Sequence, residues 1–185
     1  SVVPLVYYHV WDNFPPPKFN KSYYMSNDLV ATISKLTDDV VRLVAPEVER
    51  KRIAHTSNTS IFRRLEEREV NDFRRNNNLA YKKNGEKKFI FFWNNRNARR
   101  KQSGSVMWWF SEFLDTIGRD NACLIMHTEP KDPNGQDLEA IMEVTNMVDG
   151  QAMLSVKKIP QEELALLYNV ADCTINISDA EGFGL

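Results

Sequence analysis

No apolar run in this chain approaches the ~18 residues that cross a membrane, and Ser1-Val2-Val3-Pro4 lacks the basic start and long apolar stretch of a secretory leader. Cysteine is scarce, with only Cys123 and Cys173, each inside an apolar run. Such residues read as small buried hydrophobes in a reducing, cytoplasmic compartment and not as a staple or a metal site. With 7 Gly and 8 Pro the chain is neither linker-like nor collagen-like. It has no Gly-x-x-x-x-Gly-Lys-Ser/Thr loop, no Asp-x-Asp pair and no His/Cys cluster at ligand spacing. What remains is an ordinary globular composition, 42% hydrophobic and 26% charged over 185 residues, enough for one domain or two small pieces.

The net charge of −1 hides an asymmetry. Residues 42–101 hold 17 basic and 7 acidic side chains, whereas residues 102–185 hold 4 and 14. A basic middle points to an anionic ligand or surface nearby. For much of 63–88 the plainer reading is a solvated, Arg-rich helix.

From Lys88 onward the pattern alternates. Phe89–Trp93, Ala122–Met126, Ala152–Val156 and Cys173–Ile177 read as strands, the first apolar throughout, as in a strand covered on both faces. Between them, helices are predicted from Val106 to Ile117, closed by Gly118, from Asp137 with Leu138, Ile141, Met142, Thr145 and Val148 on one face, and from Gln161 to Val170. Alternating strands and helices imply right-handed crossovers and a parallel sheet, with ligands beyond the carboxyl ends of the strands. The first part repeats this in shorter form. Pro4–Tyr8 is a strand ending at His9, Trp11–Asn20 a loop around Pro15-Pro16-Pro17, and Leu29–Ile33 a strand. Ser34 caps a helix that Pro46 follows, and Arg52–His55 is a brief strand. Residues 61–87 read as polar and helical, with a turn at Asn84-Gly85. The expected organisation is 1–62, a linker or helix over 63–87, and a second domain over 88–185.

Two loops carry the chemistry. Arg96-Asn97-Ala98-Arg99-Arg100-Lys101 joins a strand to a helix, which sets several cations and the N–H groups of a helix start at the carboxyl edge of the sheet, where phosphates bind. Ser178-Asp179-Ala180-Glu181-Gly182-Phe183-Gly184-Leu185 places two glycines around Phe183 and a carboxylate, Glu181, at the same edge. Glu181 reads either as an acceptor for sugar hydroxyls or as a helix-start acid favoured by the dipole.

The block Ser178-x-x-Glu181-Gly182-Phe183-Gly184-Leu185 resembles the donor-sugar loop of retaining nucleotide-sugar glycosyltransferases of the GT-B fold, in the glycogen-synthase-like and mannosyltransferase-like group. Arg96-Asn97-x-x-Arg100-Lys101 is similar to that group's diphosphate loop, and Ile53–Phe62 to the segment joining its two domains. In the group, glycines usually stand where this chain has Asn95, Gln102 and Thr56. The resemblance implies two incomplete Rossmann-like parallel sheets: the end of the acceptor-side domain and the first part of the nucleotide-sugar domain.

It further implies that Arg96 and Lys101, helped by Arg100, hold the diphosphate. Glu181 with the Gly182, Phe183 and Gly184 backbone would grip the donor sugar, and the backbone near Ile159 would meet the base. His9 would face the sugar across the cleft, although a lone His ending a strand is also an ordinary loop hydrogen-bonder. His127 reads as structural or cleft-lining, and His55 as a packing or hinge residue. No metal or other cofactor is implied. The acceptor, carbohydrate, lipid or protein, is left open, and uncovered faces suggest self-association. The competing reading is a nucleic-acid-binding module built on the basic 42–101 segment with Phe91, Phe92 and Trp93. Aromatics in a continuous buried-type strand disfavour it, since stacking needs exposed rings.

Overall fold

The computed structural model describes residues 3–11, 13–148 and 150–181. They form two compact units, one built from the described residues up to Ser57 with Ala180 and Glu181, the other from Asn58–Asp179.

In the first unit, β1 (Val6–His9), β2 (Leu29–Thr32) and β3 (Arg50–Arg52) form a parallel sheet in the order β1-β2-β3. His9 and Thr32 are register partners at the carboxyl end. The Pro-rich loop leads into a short helix absent from the sequence reading, α1 (Lys21–Met25), which buries Tyr24. Helix α2 (Lys35–Val44) begins where Ser34 Oγ accepts a hydrogen bond from Thr37 N at 3.1 Å. Val41, Val44, Ala45 and Val48 pack with Val30 and Tyr24 into a small core. The third strand lies upstream of the expected 52–55. Val30 pairs with Arg50, and backbone pairing tolerates the Arg-Lys-Arg run because this is an exposed edge, where charge is favoured.

The second unit is a doubly covered parallel sheet of β4 (Phe89–Asn94), β5 (Ala122–His127), β6 (Ala152–Ser155) and β7 (Cys173–Thr174), in the order β6-β5-β4-β7. Successive side chains of β4 enter opposite layers. Trp93 joins the layer under α4 (Ser103–Ile117) and α5 (Leu138–Val144), with Met107, Phe110, Leu114 and Leu138. Ile90 and Phe92 join the layer under α3 (Glu67–Asn76) and α6 (Gln161–Val170), with Leu167 and Val170. This is the parallel α/β architecture expected.

Helix α5 is shorter than the apolar pattern suggested, because Asn146 turns left-handed at φ +53° and the chain closes with Asn146 N on Glu143 O and Met147 N on Met142 O. β7 pairs over only two residues and sits at the sheet edge, which leaves Cys173 exposed while Cys123 is buried. Within 61–87 only Glu67–Asn76 is helical. Val70 and Phe73 pack on the second sheet, so this segment is part of that unit's core. Arg74 is not solvated. It is 5% exposed and donates to Leu79 O, Ala80 O and Lys88 O at 3.1, 2.9 and 2.6 Å, closing the turn that follows the helix.

Candidate functional site

The chain runs outward from β4 through β5 to β6, then returns through α6 to place β7 on the other side of β4. In open α/β sheets ligands bind beyond the carboxyl ends of the strands where the strand order reverses, which here falls between β4 and β7. The loops that leave β4 and β7 are the two singled out in the sequence. They touch within the second unit, where Asp179 N donates to Arg100 O at 2.8 Å.

Arg96 follows β4. Its Nε donates to Asp132 Oδ2 at 2.8 Å and a terminal nitrogen reaches Oδ1 at 3.3 Å. The carboxylate lies low, with 10% of the side chain exposed, while Arg96 remains 66% exposed. The Arg96 guanidinium holds the Asp132 carboxyl below its usual range, and the carboxylate in turn raises Arg96. Asn134 N also donates to Asp132, at 2.9 Å, so the carboxylate is aimed from below. Arg96 is thus oriented while one side of its fork faces outward.

Asn97 shapes the loop. It is fully buried, and its Nδ2 faces Glu129 O, Pro130 O and Gln136 O at 3.1, 3.2 and 2.7 Å. Its Oδ1 accepts from Ser103 Oγ at 2.7 Å and Gln136 N at 3.1 Å. Gln136 Oε1 accepts from Gly104 N at 2.7 Å, so one N–H of the α4 start, expected to be available to an anion, is already used. Arg100 is exposed. Lys101 closes the 3-10 turn Arg99–Lys101 and is 5% exposed, a more buried position than the sequence suggested for a phosphate-facing cation. Gln102 follows with φ +57°, a left-handed conformation that explains why glycine suits this place.

His127 ends β5 half-buried, its Nδ1 2.9 Å from Ser155 Oγ on β6. Ile159, in the loop after β6, packs its side chain against the α6 layer. In the first unit, His9 is 1% exposed, with Nε2 at 2.8 Å from Tyr24 OH and Nδ1 at 3.2 Å from Tyr7 OH. Burial lowers its pKa from 6.5, so the ring is held neutral between two phenols. His55 is half-buried in the coil after β3. Glu181 is half-buried in the first unit. Gly182, Phe183 and Gly184 lie outside the described residues.

Asp132, Gln136 and Gly135 were not singled out in the sequence, and Asn97 stood there only as part of the basic loop. Their partners lie 32–39 residues away, and no short-range pattern marks such pairs. The aromatic residues offered for base stacking are poorly placed for it, because Phe92 and Trp93 are fully buried on opposite faces of the sheet.

The basic loop thus stands at the carboxyl edge of a Rossmann-like parallel sheet, where the strand order reverses. Among solved structures the chain is similar to GT-B glycosyltransferase domains. An α,α-trehalose 6-phosphate synthase from Burkholderia multivorans matches 98% of this chain at TM-score 0.69 and 10% identity, over 47% of its own length. A glycosyltransferase from Rickettsia africae matches 90% at TM-score 0.63 and 14% identity, over 43% of its length. The C-terminal domain of a group 1 family glycosyl transferase from Francisella tularensis matches 70% at TM-score 0.54 and 18% identity. The chain therefore spans about half the length of the two larger proteins. At these identities the likeness is one of fold. No known protein family matches the sequence, and no curated protein does.

Proposed function

We propose that the protein to which this chain belongs is a retaining glycosyltransferase that takes its sugar from a nucleoside-diphosphate donor. The observation that carries the reading is the meeting, through Asp179 N and Arg100 O, of the basic β4–α4 loop and the loop that leads to Glu181, at the strand-order reversal. In this reading the bond between the anomeric carbon and the diphosphate oxygen breaks with its electron pair leaving on the diphosphate. The acceptor hydroxyl oxygen bonds the same carbon and passes its proton to the departing diphosphate oxygen. Negative charge grows on the leaving group, and Arg96, Lys101 and Arg100 stabilise it where it develops. Glu181 accepts hydrogen bonds from the sugar hydroxyls, with Gly182, Phe183 and Gly184 supplying backbone, and the backbone at Ile159 meets the base. His9, neutral and fixed by Tyr7 and Tyr24, shapes the sugar side in the first unit. No metal takes part. The compartment is the cytoplasm, and the acceptor is a carbohydrate, lipid or protein hydroxyl.

Among the described residues no helix is long and apolar enough to cross a membrane. Two further similar synthases, from Burkholderia vietnamiensis and Burkholderia xenovorans, are described as UDP-forming, and the second was solved with glucose-6-phosphate. UDP with UDP-glucose and GDP with GDP-mannose are therefore the first probes. Calorimetric titration of the complete protein should show saturable binding of one such pair. Failure to bind either pair, combined with salt-dependent binding of an RNA oligonucleotide, would replace this reading with the nucleic-acid one.

A further inference from the structure

Gln102 occupies a left-handed backbone position, φ +57° and ψ +33°, between the basic 3-10 turn and α4. A residue with a Cβ is strained there and glycine is not. Its side chain is fully engaged. Nε2 donates to both oxygens of Asp179, at 3.0 and 2.8 Å, and Oε1 accepts from Ser105 Oγ at 3.1 Å. Asp179 answers on the backbone, its N–H donating to Arg100 O at 2.8 Å. The two loops at this carboxyl edge are thus tied by a side-chain amide–carboxylate pair, seventy-seven residues apart in sequence, and by a main-chain bond. Asp179 stands two residues before Glu181.

We propose that Gln102 is a positioning residue, a latch that holds the loop leaving β7, the sugar side in the donor reading, in register with the basic loop leaving β4, so that the sugar and diphosphate ends of one donor are gripped together. The proposal rests on the glycosyl-donor reading for its ligand and on geometry alone for the latch. Because the strain is in the backbone and the contact is in the side chain, Gln102→Gly separates the two. It relieves the first and deletes the second, so it should fold at least as well as the parent. The swapped pair Gln102→Glu with Asp179→Asn restores a bond of reversed polarity, whereas Gln102→Glu alone sets two carboxylates against each other.

The complete protein and these variants are compared by hydrogen exchange at the Asp179 amide and by titration with UDP, UDP-glucose, GDP and GDP-mannose. In Gln102→Gly the Asp179 amide should exchange faster, nucleoside diphosphate affinity should hold within about twofold, and the added affinity of the nucleotide-sugar should fall about tenfold, the worth of one charge-assisted hydrogen bond. Gln102→Glu should behave worse, and the swapped pair should recover. Unchanged Asp179 exchange in Gln102→Gly, or an unchanged preference for nucleotide-sugar over nucleoside diphosphate, overturns the latch. If the parent binds none of the four probes, the donor reading fails on its own, and Asp179 exchange alone then decides whether the two loops are latched.

Discussion

Asn97 and Gln136 hold each other from two different loops. Asn97 Nδ2 donates to Gln136 O at 2.7 Å, and Gln136 N donates back to Asn97 Oδ1 at 3.1 Å. Asn97 also closes on Glu129 O and Pro130 O, so one buried amide ties the loop after β4 to the loop after β5. Asn97→Ala leaves several buried carbonyl and N–H groups without partners, and a cost of roughly 3 kcal/mol is expected, since each such group is worth about 1–3 kcal/mol. Asn97→Asp should be at least as harmful, because a carboxylate would face three carbonyl oxygens. Chemical denaturation of the three proteins checks this, and equal midpoints would show that the loops hold without the amide.

Two glycines bracket that amide with different tolerance. A Cβ at Gly135 would collide with Asn97, with its backbone oxygen as well as its side chain, and a backbone oxygen has nowhere to go. A Cβ at Gly104 would meet only the end of the Gln136 side chain, which can swing away. Gly135→Ala should therefore lower the melting temperature clearly more than Gly104→Ala. The reverse order would contradict the packing described around Asn97.

Removing cations from the basic loop should weaken the grip on the leaving group. Lys101→Ala and Arg96→Ala are each expected to reduce both nucleoside diphosphate affinity and transfer rate, the latter on the order of a hundredfold, as for other electrostatic groups aimed at developing charge. Asp132→Asn should produce a milder loss through Arg96, since it weakens the carboxylate that orients the guanidinium without removing the cation. Titration and turnover measured together test the order, and full activity in both alanine variants would mean that these cations serve the loop's structure and not the leaving group.

Glu181→Gln distinguishes the two readings of that carboxylate. As a sugar ligand it accepts hydrogen bonds from hydroxyls that a nucleoside diphosphate lacks, so the rate should fall strongly while diphosphate binding hardly changes. A helix-start acid would shift stability slightly and leave transfer intact.

His9 makes the pH profile informative. Burial lowers its pKa below 6.5 in the folded chain. The unfolded chain therefore takes up the proton first as pH falls, and protonation favours unfolding. The contribution of His9 is complete above about pH 6.5, its ordinary value, and is lost as pH falls from there toward the lowered folded value. Comparing denaturation midpoints at pH 7.5 and 5.5 for the parent and His9→Gln checks this. The parent should lose more stability on acidification than the variant, and parallel losses would remove His9 from the account.

Periodicity alone determined much of the second unit. The apolar run Phe89–Trp93, the span Gln161–Val170 and the stop at Gly118 are local signals, because a strand covered on both faces and a helix with one buried stripe write their periods directly into neighbouring residues. The basic loop and Glu181 stand out in the sequence for the same reason, since charge and glycine spacing are short-range patterns. Tertiary structure decided the rest. The Arg50–Arg52 strand depends on pairing with β2, and no apolar alternation announces it. Arg74 and Lys101, cations that the sequence places on a wet surface, are both buried, Arg74 because the turn after its helix brings carbonyl oxygens over it. The contacts of Asn97 with Gln136, Arg96 with Asp132 and Gln102 with Asp179 join residues 36–77 positions apart. Here they form because the parallel sheet sets the ends of its strands side by side, which no window of local sequence records.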